Sequence, residues 1–242
     1  MSKIMGIDIS SKSTGWAVIE DNKLLEFGKI NPTGSMTSGQ KMFYFHNELE
    51  RIISRYQPNE IAIEDVVQVK SVSVTKILAR FNGIAIVESY RHLQKEPTLF
   101  EPTEWKKLVT GNGSAKKCET QLFVCEKYNL LPKDKVEFYK NKISFAKNQL
   151  SQSNDNTKVS FKDLNKQLKK EKNKENYNQE LVLDIQTKIE SIKLQNESLR
   201  KKNKKDLSNE FDDISMSIYT ESSINEDIGD AICVAIAFQI SQ

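Results

Sequence analysis

Glycine is scarce in this chain, with nine among 242 residues. That is too few for a core built on repeated glycine-rich phosphate loops. Histidine is scarcer still: His46 and His92 are the only two, both in helical stretches without a partner motif, and neither is assigned a role. The three cysteines, Cys118, Cys125 and Cys233, form no CxxC pair and show no finger spacing. A zinc module is thereby disfavoured, and buried, reduced thiols are the expectation. No apolar run reaches the length of a bilayer span, and no secretory leader opens the chain. These absences predict a soluble cytoplasmic protein with no membrane contact and no small-molecule cofactor. The length allows one domain with a large insertion, or two small domains.

Charge is present, and it is unevenly spread. The net value of +3 conceals a basic segment: residues 133–210 hold 19 Lys/Arg against 12 Asp/Glu, and the remainder holds 17 against 21. A polyanionic partner is the natural reading of such a concentration. The same segment is rich in Lys, Asn, Gln, Glu and Ser and contains neither glycine nor proline. Leu181, Ile185, Ile189, Ile192 and Leu199 follow a near-heptad spacing, and Val136, Ile143, Leu150, Leu164 and Leu168 form a sparser set. The pattern predicts a coiled-coil hairpin of two antiparallel helices. Its turn is placed between Ser151 and Thr157, with Asn173–Asn178 as the alternative. A disordered charged linker is the competing reading.

The rest of the chain alternates strands and helices. Residues 3–9, 15–20 and 24–30 read as an antiparallel meander. Residues 38–56 carry Met42, Phe45, Leu49, Ile52, Ile53 and Tyr56 at helical spacing. Glu60–Asp65 is a buried strand ending in acids. A long helix over 71–93 presents Val74, Ile77, Leu78, Phe81, Ile84, Ala85, Val87 and Glu88. A short strand at 97–101 precedes a helix with Thr103 as its candidate cap. Ser114 is then expected to cap a further helix over 115–128, with Leu122, Phe123 and Tyr128 as its apolar stripe. The result is an α/β sheet with carboxylates at strand ends.

Those carboxylates stand out. Asp8 lies in an otherwise apolar first strand and Glu64 ends the fourth. Asp227 and Asp230 sit three apart at the start of a final helix that is otherwise small and apolar. Residues i and i+3 share a helix face, so the last pair projects side by side. If the first and fourth strands are neighbours, all four acids meet at one sheet end. Four carboxylates repel without a cation, and hard divalent ions with oxygen ligands resolve this. Two Mg²⁺ or Mn²⁺ ions about 3.5–4 Å apart suit phosphodiester hydrolysis.

Gly6-Ile7-Asp8-Ile9, Ala62-Ile63-Glu64-Asp65 and Asp227-Ile228-Gly229-Asp230-Ala231 together resemble the RuvC family of Holliday junction resolvases, within the ribonuclease H-like superfamily. Glu101-Pro102-Thr103-Glu104-Trp105-Lys106 and Gly111-Asn112-Gly113-Ser114-Ala115-Lys116-Lys117 are similar to the family's basic stretch. The likeness covers residues 3–132 and about 224–240. It implies a ribonuclease H-like mixed five-stranded sheet with flanking helices, with nuclease core 1–132 plus 211–242 interrupted by the inserted hairpin 133–210. It further implies a metal-dependent endonuclease that cuts four-way DNA junctions by paired symmetric hydrolysis, leaving 5′-phosphate and 3′-hydroxyl ends. Asp8, Glu64, Asp227 and Asp230 match the metal ligands, and Lys117 matches a charge-stabilising lysine. Lys70, Lys106, Lys116 and Lys117 are the candidate DNA contacts. The family works as a homodimer, with helix 71–93 supplying an isologous interface. The Lys/Asn-rich composition points to a phage or other viral branch.

One departure bears on selectivity. Where the family often carries an aromatic shortly after the second acid, Val66 and Val67 stand here. Stacking at a junction centre is lost, which opens the range to forks and flaps. Two other classes compete. Gly6–Gly15 resembles the first phosphate loop of sugar-kinase and actin-like ATPases, but no second glycine-rich loop follows. A non-catalytic tether built on the coiled coil is the third, and a complete set of four acids argues against it.

Overall fold

The computed structural model describes the backbone of residues 2–67, 71–173 and 179–242. The first three strands, β1 (Lys3–Asp8), β2 (Thr14–Glu20) and β3 (Lys23–Ile30), form the expected meander. Asp21 and Asn22 make the two-residue turn between β2 and β3, both with positive φ, as a hairpin of this twist requires. Helix α1 (Ser38–Tyr56) follows, opened by Thr37, whose hydroxyl accepts from the Gln40 N–H. Then come β4 (Glu60–Glu64), α2 (Val72–Leu93) and β5 (Thr98–Phe100). The sheet order is β3-β2-β1-β4-β5. β1 runs antiparallel to β2 and parallel to β4, and β4 runs parallel to β5. This is the mixed five-stranded sheet expected from the sequence.

Alternation along the strands divides the sheet's faces. Met5, Ile7, Trp16, Val18, Ile61 and Ile63 pack with Phe45, Leu49, Ile52 and Ile53 of α1 and with Phe81 and Ala85 of α2. The opposite face carries Gly6, Asp8, Gly15, Ala62 and Glu64, and α7 (Glu226–Ser241) lies across it. α3 (Pro102–Thr110) and α4 (Lys117–Lys127) pack on α7 from its other side. Residues 228–238 of α7, buried throughout except Asp230, are therefore held between sheet and helices.

Close approach explains why this face is nearly bare of side chains. A Cβ on Gly6 would lie 2.0 Å from the Ala231 carbonyl oxygen, and one on Gly15 would lie 2.0 Å from that of Asp227. No larger residue fits at either point with the helix where it is.

Several sequence expectations need correction. The turn of the helical insertion does not fall at 151–157: α5 (Lys133–Lys172) runs through it, and α6 (Gln179–Ser222) begins beyond it. Of the alternative position, Asn173–Asn178, residues 174–178 lie outside the described residues. Polar residues as such do not stop a helix, and the absence of glycine and proline left nothing at 151–157 to break it. Thr103 does not cap α3; Glu101 occupies that position, with Pro102 in the first turn. α4 starts two residues later than expected, with Lys116 rather than Ser114 at its cap and the Lys116 N–H donating to Glu119 at 2.9 Å. Its buried side is Cys118, Leu122, Val124 and Cys125, with Phe123 and Tyr128 only half-buried. On α2, Val74 and Val87 face outward, and the buried stripe is Phe81, Asn82, Ala85, Glu88 and Ser89.

The histidines find a structural partner that the sequence did not suggest. Buried Glu88 receives His46 Nδ1 at 3.0 Å from α1, Arg91 Nε at 3.5 Å, and His92 Nε2 at 4.0 Å. Buried Glu88 thus sits among three basic groups, the Arg91 guanidinium and two imidazoles.

The chain divides into two compact units, Met1–Tyr139 with Ser215–Gln242, and Lys140–Ile214. The second unit comprises most of α5 and α6. It buries Ile143 and Ala146 on the former and Val182, Ile185, Ile189 and Leu207 on the latter, at spacings of three and four where they are consecutive. Among the described residues no helix is long and apolar enough to cross a membrane.

The α7 contact gives a direct stability test. Gly6→Ala must push α7 off β1 and should cost about 1–3 kcal/mol, read as a fall in melting temperature. Gly34→Ala, with open space around it, should leave the melt unchanged.

Candidate active site

Asp8 is the last residue of β1 and Glu64 the last of β4. Parallel pairing of Ile7 with Ile63 sets the two acids level at the carboxyl end of adjacent strands, on the α7 face. On the other side of β1, Asp8 pairs with Gly15 of β2. The Asp227 backbone presses against that glycine. The N-terminus of α7 therefore opens directly over the strand acids, and Asp230 follows one turn on. The positive end of the α7 dipole and its free N–H groups favour anions at this point.

Neutral donors hold three of the four carboxylates. Trp105 Nε1, buried under α3, donates to Glu64 Oε2 at 2.8 Å. Ser13 Oγ donates to Asp227 Oδ2 at 2.6 Å, and Asn225 Nδ2 donates to the same oxygen at 3.1 Å. Thr120 Oγ1 lies 3.1 Å from Asp230 Oδ1. None of these partners was singled out from the sequence for this task. Thr120 was within reach of sequence reasoning, since it sits three residues beyond Lys117 on the same helix face.

Electrostatics here are those of an anion cluster lacking countercharge. Burial, then the charges of Glu64, Asp230 and Asp227, push the Asp8 carboxyl well above the ordinary range, against a smaller opposing effect of Lys117. Burial and then Glu64 push Asp230 up to about 7, opposed by Lys106, Thr120 and Lys117. Burial also raises Glu64, although the Trp105 hydrogen bond, Lys106 and Lys117 work against it. Lys117 donates to Glu226 Oε2 at 2.6 Å. Burial disfavours its ammonium, but the bond to Glu226 and the charges of Glu226, Asp230 and Asp227 outweigh that, and its pKa stands above the ordinary lysine value.

Of the expected DNA-contacting lysines, Lys106 lies 5.3 Å from the Trp105 ring centroid, and its charge reaches Glu64 and Asp230. Lys116 is exposed at the head of α4 beside Lys117. Lys70 lies outside the described residues.

The donor set is all oxygen, carboxylate-rich and short of positive charge, which fits hard divalent ions. Among the described residues no three His, Cys, Asp or Glu side chains converge tightly enough to enclose an ion. The acids stand as an open set of donors, as mutual repulsion dictates.

A mixed sheet in the order β3-β2-β1-β4-β5, crossed by a helix and flanked by others, defines a ribonuclease H-like domain. The family model described as crossover junction endodeoxyribonuclease RuvC matches residues 4–138, and the chain belongs to that family. The proteins of that name from Wolbachia sp. subsp. Drosophila simulans and Alkaliphilus oremlandii are 31% and 30% identical to it over 122 and 131 residues. These alignments take in 48% and 52% of this chain and 75% and 79% of the relatives. Among solved structures, Thermus thermophilus RuvC in complex with Holliday junction substrate is similar at 18% identity and a TM-score of 0.49, over 55% of this chain and 82% of that one. The family match includes Asp8, Glu64, Lys106, Lys116 and Lys117 and stops short of Asp227 and Asp230, which reach the site through the fold.

Raised carboxyl pKa values make metal-free stability pH-dependent in a definite direction. Between about pH 4 and 7 native Asp230 holds a proton that the unfolded chain releases, so its contribution is lost as pH rises through 7. In EDTA, Asp230→Asn should melt at least about 3 °C above wild type at pH 8, equivalent to ~1 kcal/mol, with a smaller gap at pH 5. Equal gaps at both pH values, measured by thermal denaturation, would refute this origin.

Proposed function

We propose that this protein is a metal-dependent, structure-selective DNA endonuclease that resolves four-way junctions by paired, symmetric phosphodiester hydrolysis. The observation that carries the reading is that Asp8 and Glu64, level at the ends of β1 and β4, face the α7 N-terminus with Asp227 and Asp230, in a chain of the RuvC family. Asp8, Glu64, Asp227 and Asp230 would hold Mg²⁺ or Mn²⁺. Two such ions, when bound, supply Lewis-acid stabilisation at the attacked phosphate and the leaving oxygen.

The chain's own groups divide the remaining work. Trp105 fixes the direction of the Glu64 carboxylate through its indole N–H. Ser13 and Asn225 do the same for Asp227. Lys117, held at the mouth by Glu226, supplies a mobile positive charge for a phosphate oxygen once DNA competes for it. Lys106 and Lys116 flank it as backbone contacts, with Lys70 as a further one. Basic residues of the helical insertion would grip DNA arms by neutralising phosphates.

Action on two opposed strands calls for two sites, so a homodimer belongs to this reading. The exposed Val72, Val74, Val87 and Tyr90 on α2 support an isologous contact there. A second reading, a nuclease acting on forks and flaps as well, is favoured by one specific observation. Val67, which stands where the family often carries an aromatic, is exposed after β4 and cannot stack on a base.

The test is cleavage of a labelled four-way junction beside a Y-fork and a plain duplex, with Mg²⁺, Mn²⁺ or EDTA. Symmetric paired nicks on the junction that require a divalent ion are expected. Loss of an outer partner of a metal ligand typically costs 10–100-fold, so Asp8→Asn or Asp230→Asn should lose more than about 100-fold. Equal cutting of forks and junctions would favour the broader nuclease. Full activity in EDTA would overturn both.

A further inference from the structure

We propose that Gln121 is a positioning residue that sets the stance of Asp227 and Asp230, and that it takes its own place from Ser215 at the base of the inserted helical arm. The inference rests on the reading of the four acids as ion ligands.

Gln121 is buried in the middle of α4 and uses both ends of its amide. Its Nε2 donates to the Ile224 carbonyl at 3.0 Å. Its Oε1 accepts from the Ser215 hydroxyl, also buried. The side-chain stem lies against α7 at Gly229, where an added Cβ would come within 3.3 Å of Gln121 Cγ. Gly229 stands between the two aspartates. One residue therefore touches α7 between its acids and also fixes the backbone just before the helix begins.

From Ile224 the path to the carboxylates is short. Asn225 follows as the α7 N-cap, accepting from the Ile228 N–H at 3.0 Å while its amide donates to Asp227. Thr120, the neighbour of Gln121 on α4, reaches Asp230. In the other direction, Ser215 lies on α6 two turns before its end at Ser222. There Glu221 joins the two arm bases, accepting from Tyr139 OH at 2.9 Å and from Lys135 Nζ at 3.1 Å. Residues 135, 139, 215 and 221 all belong to the first unit. A buried amide bonded at both ends is costly to leave half-satisfied, so Gln121 ties the place of Ser215 to the backbone at Ile224. Hydrogen bonds thus run from Ser215 through Gln121 and the Ile224 carbonyl to the Asn225 cap of α7.

The test uses the full chain and Mn²⁺ alone as probe, read by water-proton relaxation, with junction affinity in EDTA and a Mn²⁺ titration of cleavage beside it. Gln121→Leu should weaken Mn²⁺ binding about tenfold, the scale of an outer-shell loss, and Ser215→Ala by roughly threefold. Junction affinity should stay within about twofold, and saturating Mn²⁺ should restore most of kcat. Ser215→Ala deletes a single hydroxyl and keeps the test decisive if Gln121→Leu does not fold. A lowered melting temperature with unchanged Mn²⁺ affinity in both variants would overturn the proposal. Wild type that binds Mn²⁺ without cutting DNA would instead overturn the endonuclease reading, and the Mn²⁺ affinities read by water-proton relaxation would still decide the role of Gln121.

Discussion

Everything at the site depends on the contact between α7 and the strands beneath it. Gly6 and Gly15 remove the side chains that would hold a helix at ordinary distance from a sheet, and Ala231 and Ala235 meet Gly6 from above. Dispersion and burial along residues 228–238 then hold a small, apolar helix flat on β1 and β2. Such a seat has one orientation. It delivers the N-terminus of α7, with both of its acids, to the carboxyl end of β1 and β4. The apolar contact supplies the free energy that overcomes carboxylate repulsion at the helix mouth.

That arrangement concentrates instability where chemistry is needed. Asp8 and Asp230 are raised by burial and by one another's neighbours, and the two lysines near them only partly compensate. The surroundings are organised to hold direction without adding charge. An indole, two hydroxyls and an amide contact the carboxylates, and each leaves the cluster's demand for positive charge unsatisfied. Lys117 is turned to Glu226, next to the cluster, and its hydrogen bond thus goes to an acid outside the set of four.

Much of this was legible in the sequence because the relevant signals are periodic or chemically improbable. Strands β1 to β5 and helices α1, α2 and α7 follow from apolar spacing, and acids ending buried strands are rare enough to be noticed. The limits were set by local chemistry. Thr103 and Ser114 have capping side chains, yet Pro102 and the Lys116–Glu119 contact fix the helix starts elsewhere. Val74 and Val87 fit a helical stripe but face outward, while α2 turns polar Asn82 and Ser89 inward beside the expected Glu88; Asn82 reaches Asp65 and Ser89 bonds back to the Ala85 carbonyl. A side chain such as Gln121 carries no sequence signal at all. Its partners lie 94 and 103 residues away, and only the fold brings them together.

The split of the acid set along the chain has a temporal side. Ser13 and Asp227, joined by one hydrogen bond, are 214 residues apart, and the whole helical insertion must be made between them. A growing chain can form the meander and the β1–β4 pairing long before α7 exists. Until then the sheet face with Gly6 and Gly15 has no helix on it, and only half of the carboxylates are present. Contacts of such long range form late and slowly, and domains complete themselves as the ribosome releases them. The four acids can therefore stand together only after the insertion has been made and α7 has docked on β1 and β2.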